Sequence, residues 1–322
     1  MTDSKISPRS SAPITSHTEE APFSRRDFML YATTVFSWSA SWYVLKVNSS
    51  YAVDPTVSTC WRFTLAAVLM FLFVGVSGGR LRFGWRAHGK FALLGVFMFS
   101  TNFMLFFYAS TLLVSGLLAV VFSLASIVNL AIGMLRRDFA GPSRWFGAAL
   151  GVIGIALLYW PALNDGASGK LGLILCLCGT VSFCIGNQIT QSLKYADAPL
   201  MSTATWAMAY GAGWSAIVSA VASLPFVYDT TPGYTLSLLF LTLVSTILAF
   251  WAYMNLIRSI GAGRASYATV MFPVFALLLS TLFEGYVWSP IALGGVALAL
   301  TGNMFVLKSA RRRGEKLPTP VV

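Results

Sequence analysis

The chain contains few acidic residues and almost no histidine. Its 322 residues include 11 Asp and Glu and 2 His. Neither His17 nor His88 falls within an apolar run, and no run carries a carboxylate at its centre. Because zinc and di-iron centres need clusters of such ligands, the sequence indicates no metal site, and no other cofactor motif is present.

Polar segments long enough to fold as a separate domain are also missing. The longest gaps between apolar runs hold about ten residues, so nothing outside those runs can house a catalytic domain. A Gly-x4-Gly-Lys phosphate loop is absent, which excludes a P-loop ATPase within the chain. Four cysteines all lie in apolar runs, where we expect packing roles. Any function must therefore lie between the apolar segments.

Apolar runs are what the chain does have. Hydrophobic residues make up 57% of it and charged residues 10%, which is not the composition of a soluble domain. At 1.5 Å per residue, a helix of about 20 residues crosses a hydrocarbon core of about 30 Å. Most of the runs reach that length. They are 27–46, 57–78, 90–110, 112–134, 143–160, 171–190, 200–224, 234–256, 265–285 and 288–307.

Basic residues occupy alternate gaps between the runs. All but three of the 22 Lys and Arg lie in the two tails or in every second gap, the exceptions being Lys46, Arg62 and Lys170. Cytoplasmic loops retain Lys and Arg, so the pattern predicts ten spans in the cell inner (plasma) membrane, with both termini cytoplasmic. This orientation accounts for the net charge of +11, and the chain offers no basic face for nucleic acid.

The two halves of the chain show weak similarity to each other. One alignment pairs Ser100-Thr101 with Ser245-Thr246 and Tyr108 with Tyr253. Because each half holds five spans, a duplicated half inserts upside down relative to its copy. We therefore predict an all-α membrane protein with ten transmembrane helices in two inverted five-helix repeats. The predicted segments are a disordered cytoplasmic tail (1–26), the first repeat (27–160), a linker (161–170), the second repeat (171–307) and a basic cytoplasmic tail (308–322).

Short motifs in both halves resemble a known family. The segment from Trp38 to Lys46 in the first run is similar to a Trp-Gly…Lys stretch of the EamA-type ten-span exporters. In the second run, Arg62-Phe63 is similar to an Arg-Phe pair of the same family. Pro273 and Glu284 resemble the proline and glutamate that close the second repeat of this drug/metabolite transporter superfamily. The resemblance covers about 27–307. It implies efflux of metabolites or drugs by a carrier without its own ATPase.

Three charged residues at the outer ends of the runs are candidates for function. Charge within a membrane is costly and is usually kept for a purpose. Arg62 is predicted to bind a substrate carboxylate or phosphate; alternatively it reaches the headgroups or pairs with Asp54 or Glu284. The predicted gating or structural residues are Lys46, Glu284 and Pro273, the last of which is a candidate because of the family resemblance.

Polar and aromatic side chains within the runs are predicted to line a cavity near the membrane midplane. Amides and hydroxyls in hydrocarbon must find partners and so turn inward, although interhelical hydrogen bonds or an interfacial belt would explain each one as well. Such a cavity would suit amphipathic solutes. Besides Arg62, the predicted substrate-binding residues are Trp38, Trp42, Asn102, Tyr108, Asn187, Gln188, Trp206, Tyr210, Trp251 and Asn255.

The predicted function is transport of a small metabolite, such as an amino acid, a related amphipathic compound or a drug, out of the cytoplasm by alternating access. One alternative is a sensor or assembly factor with the same fold. Another is an intramembrane lipid-modifying enzyme, but enzymes need convergent acid, base or metal groups, so we predict that the protein is not an enzyme. Small residues that would allow a homodimer contact lie in the fifth and tenth runs at Gly147, Gly151, Gly154, Gly294, Gly295 and Gly302.

Overall fold

The computed structural model of the protein describes residues 24–135, 141–164, 167–193, 198–260, 265 and 267–312. Helices account for nearly all of these residues, and no strand occurs among them. The prediction of an all-α protein is therefore confirmed. The predicted disordered tail, up to residue 23, and the last ten residues of the basic tail lie outside the described part of the chain.

The described residues form ten helical stretches. They are α1 (Arg25–Ser49), α2 (Pro55–Val76), α3 (Trp85–Leu112), α4 (Ser115–Phe122 continued by Ala125–Leu135), α5 (Pro142–Asn164), α6 (Ala167–Leu193), α7 (Leu200–Val221), α8 (Pro232–Ile260), α9 (Ala268–Glu284) and α10 (Pro290–Arg312). By length and composition, α2 to α6 and α8 can cross a membrane, and α9 and α10 contain shorter apolar helices. The chain is therefore a multi-pass membrane protein.

Local sequence determines where several helices begin and end. The Ser24 hydroxyl accepts from the Asp27 amide at 3.1 Å, while the Asp27 carboxylate accepts from the Ser24 amide at 2.9 Å. This reciprocal capping box satisfies donors that the first turn of α1 would otherwise leave free. Asp54 caps α2 in a similar way, accepting from the Thr56 amide at 2.7 Å. Gly285 ends α9 with φ of 67°, a left-handed conformation that glycine adopts without a steric penalty.

Two helices contain a widened π-helical segment at corresponding places in the two halves. In α3 the segment is Phe97–Thr101, and in α8 it is Phe240–Leu248. The Ser100-Thr101 and Ser245-Thr246 pairs that the internal alignment matches lie in these segments. π-Helical turns often occur at functional sites because they redirect nearby side chains.

Helices of the first half pack against helices of the second. The pairs α2 with α7, α4 with α9 and α5 with α10 are in contact. In addition, α6 packs against α3 and α4, while α1 packs against α8 and α9. When each helix of the first half is exchanged with the helix that comes five helices later, such as α1 with α6, the same set of contacts results.

Glycines permit the close crossing of α5 and α10. A Cβ atom on Gly302 would lie 2.5 Å from the Gly151 amide nitrogen, and one on Gly295 would lie 2.6 Å from the Gly154 carbonyl oxygen. These glycines thus serve packing within the chain, while Gly294 faces open space. The predicted homodimer remains a prediction.

Candidate functional site

A cavity lies between helices from both halves of the chain. It offers about 80 Å³ of space for the centres of water molecules, several times the roughly 10–15 Å³ that one water requires. Most of its lining residues belong to the central turns of their helices. The lining residues are Trp38, Ser41, Trp42, Leu45, Arg62, Met98, Phe99, Asn102, Phe103, Phe106, Phe122, Phe183, Ser245, Thr269 and Phe272.

Aromatic rings form most of the cavity wall. The Trp42 ring is stacked on Phe272, with 6.5 Å between the ring centres and an interplanar angle of 14°. The centre of the Trp42 ring also lies 5.0 Å from that of Phe106, in an edge-on arrangement, and 5.5 Å from that of Phe122, in a tilted one. These rings present apolar surface to a ligand. The cavity therefore favours a compound with a flat or apolar body.

Arg62 supplies the positive charge of the cavity. The residue is only 2% exposed. Its Nη2 donates to the Thr246 hydroxyl at 2.9 Å, and its guanidinium lies 4.4 Å from the centre of the Phe103 ring. Within the described residues, Arg62 has no carboxylate within 4.0 Å, and its Nε has no hydrogen-bond partner. A buried cation without a counter-ion is costly, so the site is suited to an anionic ligand.

The π segment of α8 positions the hydroxyl that meets Arg62. The Thr246 hydroxyl donates to the Leu241 carbonyl, five residues earlier, at 2.9 Å. This bond uses the hydroxyl proton, which leaves the oxygen lone pairs available to accept from Arg62. The two bonds hold the guanidinium on the cavity wall and connect α2 with α8.

Two neutral residues of the cavity also carry polar atoms without partners. The Trp38 Nε1 and the Asn102 Oδ1 are buried, and neither has a hydrogen-bond partner within the described part of the chain. A buried polar group left unpaired costs about 1–3 kcal/mol. Together with the Arg62 Nε, these atoms offer a bound ligand two donors and one acceptor.

The two carboxylates considered as partners of Arg62 are bound elsewhere. Glu284 accepts from the Ser115 amide at 3.0 Å and from its hydroxyl, and lies 3.9 Å from the Lys46 Nζ. Lys46 also donates to the carbonyl of Leu113 at 2.6 Å. Asp54, besides capping α2, accepts from the Tyr108 hydroxyl at 3.0 Å. Arg62 therefore pairs with neither acid, and its burial shows that it does not reach the surface.

Comparison with known proteins identifies the family. The sequence profile of the EamA-like transporter family matches residues 27–160 and again residues 170–308. The chain belongs to the EamA-like transporter family. The resemblance found in the short motifs, and with it membership of the drug/metabolite transporter superfamily, is confirmed.

Relatives of this EamA-type protein are named as transporters. The uncharacterized inner membrane transporter YedA of Escherichia coli K12 is 27% identical over 270 residues, covering 82% of this chain and 85% of YedA. An uncharacterized transporter of Archaeoglobus fulgidus is 23% identical over 292 residues, covering 88% and 99% of the two chains. A crystal structure that is 19% identical superposes with a TM-score of 0.58, covering 89% of this chain and 98% of that one. This last similarity shows a shared fold.

Four predicted substrate-binding residues of this EamA-type transporter meet at the cavity. They are Trp38, Trp42, Arg62 and Asn102. Two others, Trp206 and Tyr210, lie at the end of the bundle near the α2–α3 loop. Trp206 donates to the Leu81 carbonyl at 3.0 Å, and the Tyr210 hydroxyl lies 3.0 Å from the Nδ1 of His88. His88 lies within α3, because this helix begins at Trp85, before its apolar run.

The remaining predicted residues do not line the cavity. Trp251 is 46% exposed on α8, and Asn255 donates to its carbonyl at 2.8 Å. Gln188 donates to Asn129 at 3.2 Å, and Asn187 is buried beside it on α6. Tyr108 is engaged with Asp54, as described above. Pro273 is buried within α9, directly after the cavity residue Phe272.

Sequence reasoning missed the phenylalanines of the cavity. With 24 Phe in the chain, composition does not separate cavity rings from lipid-facing ones. A usable signal was present on α3, where Phe99, Asn102, Phe103 and Phe106 follow the i, i+3, i+4, i+7 spacing of one helical face. An amide within an aromatic stripe would have indicated this face.

Proposed function

We propose that this protein is a secondary transporter of the inner membrane that moves a small metabolite out of the cytoplasm. The substrate class is small amphipathic metabolites and drugs. The observation that carries the proposal is Arg62, a buried cation without a carboxylate partner in the described structure, on the wall of an aromatic cavity between the two halves. The name of the E. coli relative, an inner membrane transporter, supports it.

The proposed topology is ten spans in two inverted repeats with both termini in the cytoplasm. Three findings support it: the family profile matches each half, the helix contacts are reproduced when the halves are exchanged, and the π segments lie at corresponding places. Inverted repeats place a binding site near the midplane and allow it to face either side by rocking.

Alternating access requires contacts that close each end of the cavity in turn. At the end where α1 and α9 finish, Lys46, Glu284 and Ser115 connect α1, α9 and α4. At the opposite end, His88 and Tyr210 connect α3 and α7. We propose that the first cluster breaks when the cavity faces outward and the second when it faces the cytoplasm.

Reconstitution tests the proposed function. The purified protein is inserted into liposomes preloaded with a panel of amino acids and small carboxylates, and efflux is followed. We expect efflux of at least one class to be faster than from protein-free liposomes and to be reduced by Arg62→Ala. The matched control is Arg86→Ala, which removes an exposed arginine at the start of α3. Absence of flux across the panel, with protein insertion verified, would contradict the proposal.

A further inference from the structure

The charges in the cavity define the chemical class of the ligand more narrowly than the proposed function does. We infer that the substrate is a small apolar or aromatic compound that carries one carboxylate and no ammonium group. This inference rests on the proposed function, because it names the substrate class of the same cavity. Three features of the cavity support it: its single cation, the absence of a lining acid, and its aromatic wall.

The carboxylate is matched by Arg62. Its Nη2 is used by Thr246, while its Nε has no hydrogen-bond partner within the described residues. The guanidinium is a planar fork that recognises carboxylates through charge-assisted hydrogen bonds. A carboxylate at this place would neutralise the buried charge and satisfy the free Nε. The Trp38 Nε1 is a second donor without a partner on the same wall.

An ammonium group finds no matching charge in the cavity. The described lining residues include no Asp or Glu, and Glu284 is already bound by Ser115 and Lys46. Aromatic rings can also hold cations, but Arg62 itself lies over the Phe103 ring, and Trp42 is stacked on Phe272. A zwitterionic amino acid would therefore bury a second positive charge near Arg62 without compensation.

The single charge and the aromatic wall of the cavity describe the rest of the ligand. About 80 Å³ of space for water centres is room for a small ligand. One arginine balances one negative charge, so a dianion would remain half neutralised. The aromatic wall would contact the apolar body of the ligand.

Four compounds with one carbon skeleton test the inference. They are 3-phenylpropionate (anion), 3-phenylpropionamide (neutral), phenylalanine (zwitterion) and 3-phenylpropylamine (cation). Binding to the detergent-solubilised protein is measured by calorimetry, independently of transport. We expect 3-phenylpropionate to bind at least about tenfold more tightly than the other three, as expected of one charge-assisted bond.

Variants locate the preference at Arg62. In Arg62→Gln, the advantage of the acid over its amide should vanish, whereas Arg62→Lys should retain part of it and Arg86→Gln all of it. The comparison of the four compounds on the wild-type protein remains decisive even if Arg62→Gln fails to fold. Tighter binding of phenylalanine or of the amide, binding of none of the four, or an acid preference that survives Arg62→Gln would overturn the inference.

The same experiment separates this inference from the proposed function. A clear acid preference in detergent, without flux in liposomes, would support the ligand class and contradict transport. Flux of other compounds without any acid preference would support transport and contradict the ligand class.

Discussion

The Arg62 cavity and the Lys46–Glu284 cluster both place charge within the helical bundle, but they satisfy it differently. Glu284 accepts two hydrogen bonds from Ser115 and lies 3.9 Å from the Lys46 Nζ. Arg62 has one neutral hydroxyl and the faces of two phenylalanine rings. The Lys46–Glu284 cluster is complete without a ligand, whereas the Arg62 cavity is not. Residue type alone therefore does not indicate which buried charge serves structure and which serves binding.

The position of Glu284 explains why its cluster is complete. The carboxylate lies at the first turn of α4, where it caps the free Ser115 amide and meets the positive end of the helix dipole. Arg62 has no such helix end nearby, since it lies two turns into α2 against rings of α3. The predictions below test this contrast between a completed and an uncompleted site.

The largest expected effect is that of Arg62→Ala on anion transport. Loss of a charge-assisted bond costs about 1.5–3 kcal/mol, so efflux of anionic substrates should fall roughly 10- to 100-fold. Efflux of neutral analogues should fall much less. Initial rates in liposomes at matched protein content measure both. An equal loss for the two classes would show that Arg62 has a structural role and would remove the contrast.

The next effect in size is that of Glu284→Ala on stability. The substitution leaves the Ser115 amide without its acceptor and removes the ion-pair partner of Lys46, which should lower the free energy of unfolding by about 1–3 kcal/mol. The melting temperature in detergent measures this, and affinity for the ligand should change little. Asp229→Ala, which removes a loop carboxylate bonded to the nearby Thr231 amide, is the control. A Glu284→Ala protein that melts like wild type but loses its affinity for the ligand would show that Glu284 serves binding and not stability.

A smaller effect is expected from Thr246→Val. The valine keeps the shape of the side chain but removes the hydroxyl that orients Arg62. Loss of one hydrogen bond of about 1 kcal/mol should weaken binding of the anion roughly fivefold. Thr242→Val, in the same π segment and bonded to the Leu238 carbonyl, is the matched control. Similar affinities for both variants would show that the Thr246 contact does not position the cation.

The smallest effect is expected from Lys46→Gln. The Lys46 side chain is 32% exposed, and partly exposed ion pairs contribute about 0–1 kcal/mol. Glu284 also keeps its two bonds from Ser115. The melting temperature should thus fall less than in Glu284→Ala. A larger fall would mean that the ion pair, and not the helix cap, holds this end of the bundle together.

The sequence predicted the helices well because apolar length and capping residues act locally. Pro55 and Asp54 mark the start of α2, and the segment 57–78 corresponds to Pro55–Val76. The π segments were not predicted, since a widened turn depends on packing across the bundle. The Ser-Thr pairs within them were noticed only as internal similarity.

The candidate site was predicted in part. Four residues that line the cavity were predicted, because polarity within an apolar run indicates an inward face. They are Arg62, Trp38, Trp42 and Asn102. Trp206 and Tyr210 share a face of α7 as the spacing indicates, but that face meets Leu81 and His88 at one end of the bundle. Helical periodicity gives the face of a residue and not what packs against it. Six of the eight aromatic residues of the cavity, all of them phenylalanines, were missed because cavity and lipid-facing rings do not differ in composition.

An experimental structure with 3-phenylpropionate bound would test the central claim most directly. The account predicts the carboxylate within hydrogen-bonding distance of the Arg62 guanidinium and the phenyl ring against the aromatic wall of the cavity. A ligand bound elsewhere, with Arg62 paired to a carboxylate of the protein itself, would contradict it.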